Sequence, residues 1–155
     1  MIVSDSTTLI ILFDLNRLEL LSNLFPKIII PSAVYAEISL KRAITLPSFI
    51  TVEQASENET LKSLKLLLDL GESEAIALAL ELNSKLIIDE KKGRKIAMRQ
   101  GLEIIGLLGI IYLNIKKGFL STKEAKSFLN KAIDHGYRIN QKLIDNMFKR
   151  VQSKK

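Results

Sequence analysis

Apolar residues along this chain fall into two rhythms. Four short, nearly solid runs are each closed by an acid, a glycine or a proline: MIVSD (1–5), KIIIP (27–31), KLIID (85–89) and LEIIG (102–106). Solid β-branched runs of this length suit strands buried on both faces. A fifth segment, 50–53, alternates apolar and polar residues in the manner of an edge strand. Elsewhere the apolar positions recur at helical spacing. Helices are predicted over 7–25, with Asn16 as a cap between two short ones, and over 31–42, where Pro31 opens the first turn at no cost in hydrogen bonds. Two more are predicted over 58–70, stopping at Gly71, and over 72–82; a basic helix over 92–100 is closed by Gly101. This alternation of strand and helix predicts a parallel sheet with right-handed crossovers.

After Gly106 the pattern is wholly helical. One helix over 107–117 ends at Gly118. Ser121 with Glu124 three residues later forms a capping box, and that helix ends near Gly136. Asn140 caps the last helix, with Ile139 and Ile144 spaced as a hydrophobic staple. No repeat, low-complexity stretch or linker divides the chain, so residues 1–155 read as one domain.

Charge changes the picture more than composition does. Residues 1–90 carry 7 Lys/Arg against 13 Asp/Glu, and residues 91–155 carry 16 against 4. The halves therefore stand at −6 and +12, an arrangement suited to holding cations and a polyanion side by side. A solvated, Lys-rich surface explains the basic half equally well. There is no cysteine, which excludes disulfides, thiolate metal sites and a cysteine nucleophile, and suits a cytoplasmic protein. The N-terminus lacks the basic and apolar regions of a signal peptide, and no apolar run is long enough to span a membrane.

Four acids carry the candidate chemistry: Asp5, Glu37, Glu74 and Asp89 each sit where a strand ends or a helix begins. Open parallel sheets gather ligands at the carboxyl ends of their strands, so acids from four segments can meet there. Crowded carboxylates repel, and a divalent cation, Mg²⁺ or Mn²⁺, is what would reconcile them. Each acid also has a plainer use. Asp5 can cap the following helix, Glu72 and Glu74 can complement a helix dipole, and Asp89 and Glu90 can serve a turn. The single histidine, His135, excludes a two-histidine acid–base ribonuclease.

The chain resembles the PIN-domain nucleases, in particular the toxin–antitoxin branch. The resemblance rests on SDST (4–7), IIPSAVYAE (29–37), GESEAIALA (71–79), LIIDE (86–90) with KGRKIA (92–97), GLEIIG (101–106) and the tail GYRINQKLI (136–144). It implies a three-layer α/β/α fold with a central parallel β-sheet and a helical C-terminal part. It also implies a metal-dependent endoribonuclease, the toxin of a type II module, acting in the cytoplasm on RNA. An antitoxin protein and a homodimer through helices flanking the site are the implied partners, with no membrane role. On this resemblance Asp5, Glu37, Glu74 and Asp89 hold Mg²⁺ or Mn²⁺. Many relatives carry aspartate at the position of Glu74, and Glu90 could stand in for Asp89.

Arg94, Lys92 and Lys95 are the candidate phosphate contacts, Arg94 for its bidentate fork. Ser6 and Thr7 could bond the metal shell or the phosphate, or cap the first helix. A second reading is a PIN-fold protein of weakened chemistry that acts as an RNA-binding or scaffold protein. A phosphoryl-transfer enzyme of the haloacid-dehalogenase type wants a second aspartate two residues after Asp5, where this chain has Thr7.

Overall fold

The computed structural model describes residues 1–153. The solid runs and the alternating segment are strands: β1 (Ile2–Ser4), β2 (Ile28–Pro31), β3 (Ile50–Glu53), β4 (Leu86–Ile87) and β5 (Ile104–Ile105). All pair in parallel in the order β3-β2-β1-β4-β5, with β3 at an edge as its alternation predicts. Successive side chains enter two different cores. Ile2, Ile28 and Ile30 join one, whereas Val3 and Ile29 join the other. Burial on both faces is why the runs of β1, β2 and β4 are solid rather than alternating; β5, at the sheet's other edge, keeps its two paired residues only half-buried although its run is solid.

Helices supply the outer layers. On one face α1 (Ser6–Asp14), α2 (Glu19–Ser22), α7 (Leu107–Lys116), α8 (Thr122–Asp134) and α9 (Gln141–Ser153) contribute to the core. On the other lie α4 (Glu59–Lys65), α5 (Leu70–Glu81) and α6 (Lys91–Arg99). Between them α3 (Ser32–Ser39) gives Val34 and Ile38 to the first core and packs along α5. The result is the expected three-layer α/β/α arrangement.

The C-terminal helices are tied on by polar contacts as well as apolar ones. Arg42 holds both Asp14 oxygens, at 2.9 and 3.0 Å, and the Tyr137 hydroxyl donates to the same carboxylate. Ser121 and Glu124 form the expected capping box, and Asn140 accepts the Leu143 amide at 3.1 Å. Asn16, just past α1, takes φ 57°, the left-handed conformation that ends many helices.

Several elements are shorter than the pattern predicts, and one boundary is displaced. The helix over 31–42 stops at Ser39, and the strands over 85–89 and 102–106 each keep two paired residues. The helix expected over 58–70 ends at Lys65, and α5 begins at Leu70, so Gly71 lies inside a helix rather than ending one. The cause is Asp69. Its carboxylate accepts the Glu72 amide at 2.8 Å and caps α5 there.

Strand order fixes where a ligand can enter. From β1 the chain leads into α1 on one face, and from β4 into α6 on the other. Since β1 and β4 are neighbours, the connections part between them and leave a crevice at their carboxyl ends. Asp5 and Asp89 stand at its two sides.

Candidate active site

Five helices, α1, α3, α5, α6 and α7, start at this end of the sheet, directly after β1, β2 and β5 or close by. Helix N-termini expose unpaired amides and a positive dipole end, so acids collect there. Four of the acids spend an oxygen on a helix start. Asp69 caps α5, and Glu74 accepts the Ala33 amide of α3 at 3.1 Å. Glu90 caps α6 through Gly93 and Lys92, at 2.8 and 3.1 Å, and Asp89 accepts the Leu107 amide of α7 at 2.9 Å.

Asp5 behaves differently. It stands at the N-cap of α1 yet its side chain makes no capping bond, and its Oδ1 is buried with no hydrogen-bond partner. Only 3% of the residue is exposed. Burial pushes its carboxyl up to about 7; the Ser6 amide pulls it down, and the charges of Glu37, Asp69 and Asp89 push it up further. Those three acids, from α3, the α5 cap and the end of β4, therefore lie within electrostatic reach of Asp5. Gly71 makes room for them. A Cβ there would lie 3.2 Å from Glu37 Oε2 and 3.8 Å from Asp5 Oδ1.

A family model described as a PIN domain matches residues 1–153. The chain belongs to the PIN-domain family. No curated protein sequence matches it. PIN domains are generally nucleases, and this one has the parallel sheet and the acid-lined strand ends of a nuclease-type fold.

Within this PIN domain the sequence-expected acids go to different places. Asp5, Glu37 and Asp89 come near one another, while Glu74 gives its Oε1 to the α3 amide of Ala33. Asp69, which periodicity alone passes over, stands in the ring. Its signal was legible: Asp69-Leu70-Gly71-Glu72 has the spacing of an N-cap acid followed by glutamate at the third helical position. Glu72 lies deeper. Its Oε2 is buried without a partner, and burial with the nearby Glu90 and Asp69 carboxyls holds it well above the usual carboxylate range. The backbone amides of Gly93 and Lys92 keep Glu90 low.

The flanking polar residues divide similarly. Ser6 is buried and Thr7 exposed, whereas Thr8 donates its hydroxyl to Asp89 Oδ2. Lys92 and Lys95 project into solvent. Arg94 is half-buried and donates to the Ile88 carbonyl at 3.0 Å, with its guanidinium alongside Asp89. Among the described residues no Lys or Arg after residue 90 forms an ion pair with an acid. On α6, which begins just after Asp89 and Glu90, the exposed Lys92 and Lys95 therefore carry charge not taken up by an ion pair.

PIN domains generally use divalent metal ions. The donors here are all carboxylate oxygens, the chemistry hard cations prefer, and the unpartnered Asp5 Oδ1 is an acceptor with no protein donor to satisfy it. In both respects the residues fit such an ion. Among the described residues no three acidic, histidine or cysteine side chains already converge on one point, so the ring lines the mouth rather than forming a closed cage. No helix among the described residues is long and apolar enough to cross a membrane.

Proposed function

We propose that this PIN domain is a Mg²⁺- or Mn²⁺-dependent endoribonuclease that hydrolyses RNA phosphodiester bonds at the crevice between β1 and β4. The observation that carries the reading is Asp5: a buried carboxylate with an unpartnered oxygen, within electrostatic reach of Glu37, Asp69 and Asp89. Burying an unpaired charge among like charges is costly unless a cation joins them. Asp5, Glu37, Asp69 and Asp89 are the residues that would hold it. When bound, such an ion lowers the pKa of water and stabilises charge on a phosphate.

The chain's own residues do the rest. The α5 cap and the α7 amide keep Asp69 and Asp89 in fixed rotamers, and Gly71 leaves Glu37 free to approach Asp5. Exposed Lys92 and Lys95 on α6 receive the phosphate backbone beside the crevice, sequence-independently. Arg94 sits beside Asp89 at the start of α6, and its remaining guanidinium donors are left to meet a phosphate there.

The same reading makes the protein the toxin of a toxin–antitoxin pair. An antitoxin or a second copy would cover the crevice from its rim, where exposed Leu66, Leu67 and Leu70 flank Asp69. One observation favours the alternative of a catalytically weakened RNA-binding or scaffold protein: the acids do not already converge on one point. Incubation of a mixed structured RNA pool with Mg²⁺ or Mn²⁺, against EDTA, separates the two. Metal-dependent fragments support the nuclease; retention of intact RNA with every ion supports the binding protein.

A further inference from the structure

We propose that Thr8 is a positioning residue that orients Asp89 toward the cation site. The inference rests on the metal-dependent reading above and assigns a role to a residue outside the acid ring. Thr8 lies in the first turn of α1, three residues after Asp5, and is 2% exposed. A buried threonine in a helix usually returns its hydroxyl to the carbonyl four residues back. This one instead donates to Asp89 Oδ2, across 81 positions of sequence.

The other Asp89 oxygen is held by the Leu107 amide at 2.9 Å. One donor comes from α1 and one from α7, so the carboxylate is clamped between two elements. A carboxylate has about four acceptor sites, and two donors leave the others open to a cation. Gly106 leaves the space this arrangement occupies: a Cβ there would lie 2.7 Å from Asp89 Oδ1 and 2.6 Å from Arg94 Nη1. The same α1 turn thus carries Asp5 and the hydroxyl that aims Asp89. Partners that orient a ligand in this way are typically worth about 10- to 100-fold in metal affinity.

The test is direct Mn²⁺ binding by calorimetry, without RNA, to the parent, Thr8→Val, Thr8→Ala and Thr8→Ser, with thermal melting of each in EDTA. Expected is a loss of about tenfold or more in Mn²⁺ affinity for Thr8→Val, and for Thr8→Ala should the valine variant not fold. Thr8→Ser, which keeps the hydroxyl, returns to within a few-fold of the parent. Undiminished Mn²⁺ binding by folded Thr8→Val or Thr8→Ala overturns the positioning role and leaves the nuclease reading standing. So does a Thr8→Ser variant as impaired as the valine one, since packing of the methyl would then be what matters. A parent that binds no Mn²⁺ overturns the metal reading and this role with it.

Discussion

Glu74 and Ala33 are joined across two helices: the glutamate on α5 accepts the amide in the first turn of α3 at 3.1 Å. One oxygen of an acid that stands in a conspicuous motif is thereby committed to capping the start of a helix. Removing a side-chain cap costs about 1 kcal/mol. Glu74→Ala is accordingly expected to lower stability in urea by about that amount, while Glu74→Gln, which keeps an acceptor oxygen, costs less. Equal stability of all three proteins would mean that the contact holds nothing together.

Asp5 gives the protein a pH dependence of unusual sign. Its folded pKa, about 7, lies above the ordinary value of 3.8, so the native state keeps a proton that the unfolded chain has released. Stability from this group is full below about pH 4 and is lost as pH rises toward 7. At 1.36 kcal/mol per unit the loss is at most about 4 kcal/mol. In EDTA, Asp5→Asn is therefore expected to melt above the parent at pH 7 to 8, with the gap closing near pH 4. Parallel melting curves across that range would remove the electrostatic account of the site.

Gly93 separates two crowded groups at the start of α6. A Cβ there would stand 2.7 Å from Ile88 Cδ1 and 2.8 Å from Glu72 Oε2. Overpacking of this kind costs about 1–3 kcal/mol. Gly93→Ala is expected to lower the urea midpoint accordingly, with an unchanged midpoint showing that the glutamate yields freely.

Much of the fold could be read from the sequence, because strands buried on both faces leave short, β-branched runs such as KIIIP, closed by Pro, Gly or an acid, whose length and composition argue against a helix. Their parallel pairing followed from the helices between them. The site was readable where an acid ends such a run, as Asp5 and Asp89 do. It was less readable at Asp69, because Leu66, Leu67, Leu68 and Leu70 continue a helical rhythm through a stretch where the backbone actually stops and restarts. Leu66, Leu67 and Leu70 are in fact exposed, so the rhythm there does not report burial. Thr8 carried no signal at all; a threonine in an apolar helix looks ordinary until Asp89 is folded against it.

The contact between Tyr137 and Asp14 belongs to stability alone. Arg42 foremost, with the Tyr137 hydroxyl, holds the Asp14 carboxyl below its usual range, and the phenol itself is pushed up to about 12. Tyr137→Phe should cost about 1 kcal/mol in chemical denaturation and leave Mn²⁺ binding unchanged. A loss of Mn²⁺ affinity would show that the C-terminal helices reach the site.

The most direct test of the acid ring is single-turnover RNA cleavage at saturating Mn²⁺ by the parent, Asp5→Asn and Glu74→Gln, each first shown to be folded. A metal-holding acid ring requires cleavage by the parent, its loss in Asp5→Asn, and a rate within a few-fold of the parent for Glu74→Gln. Cleavage by Asp5→Asn at the parental rate would contradict it.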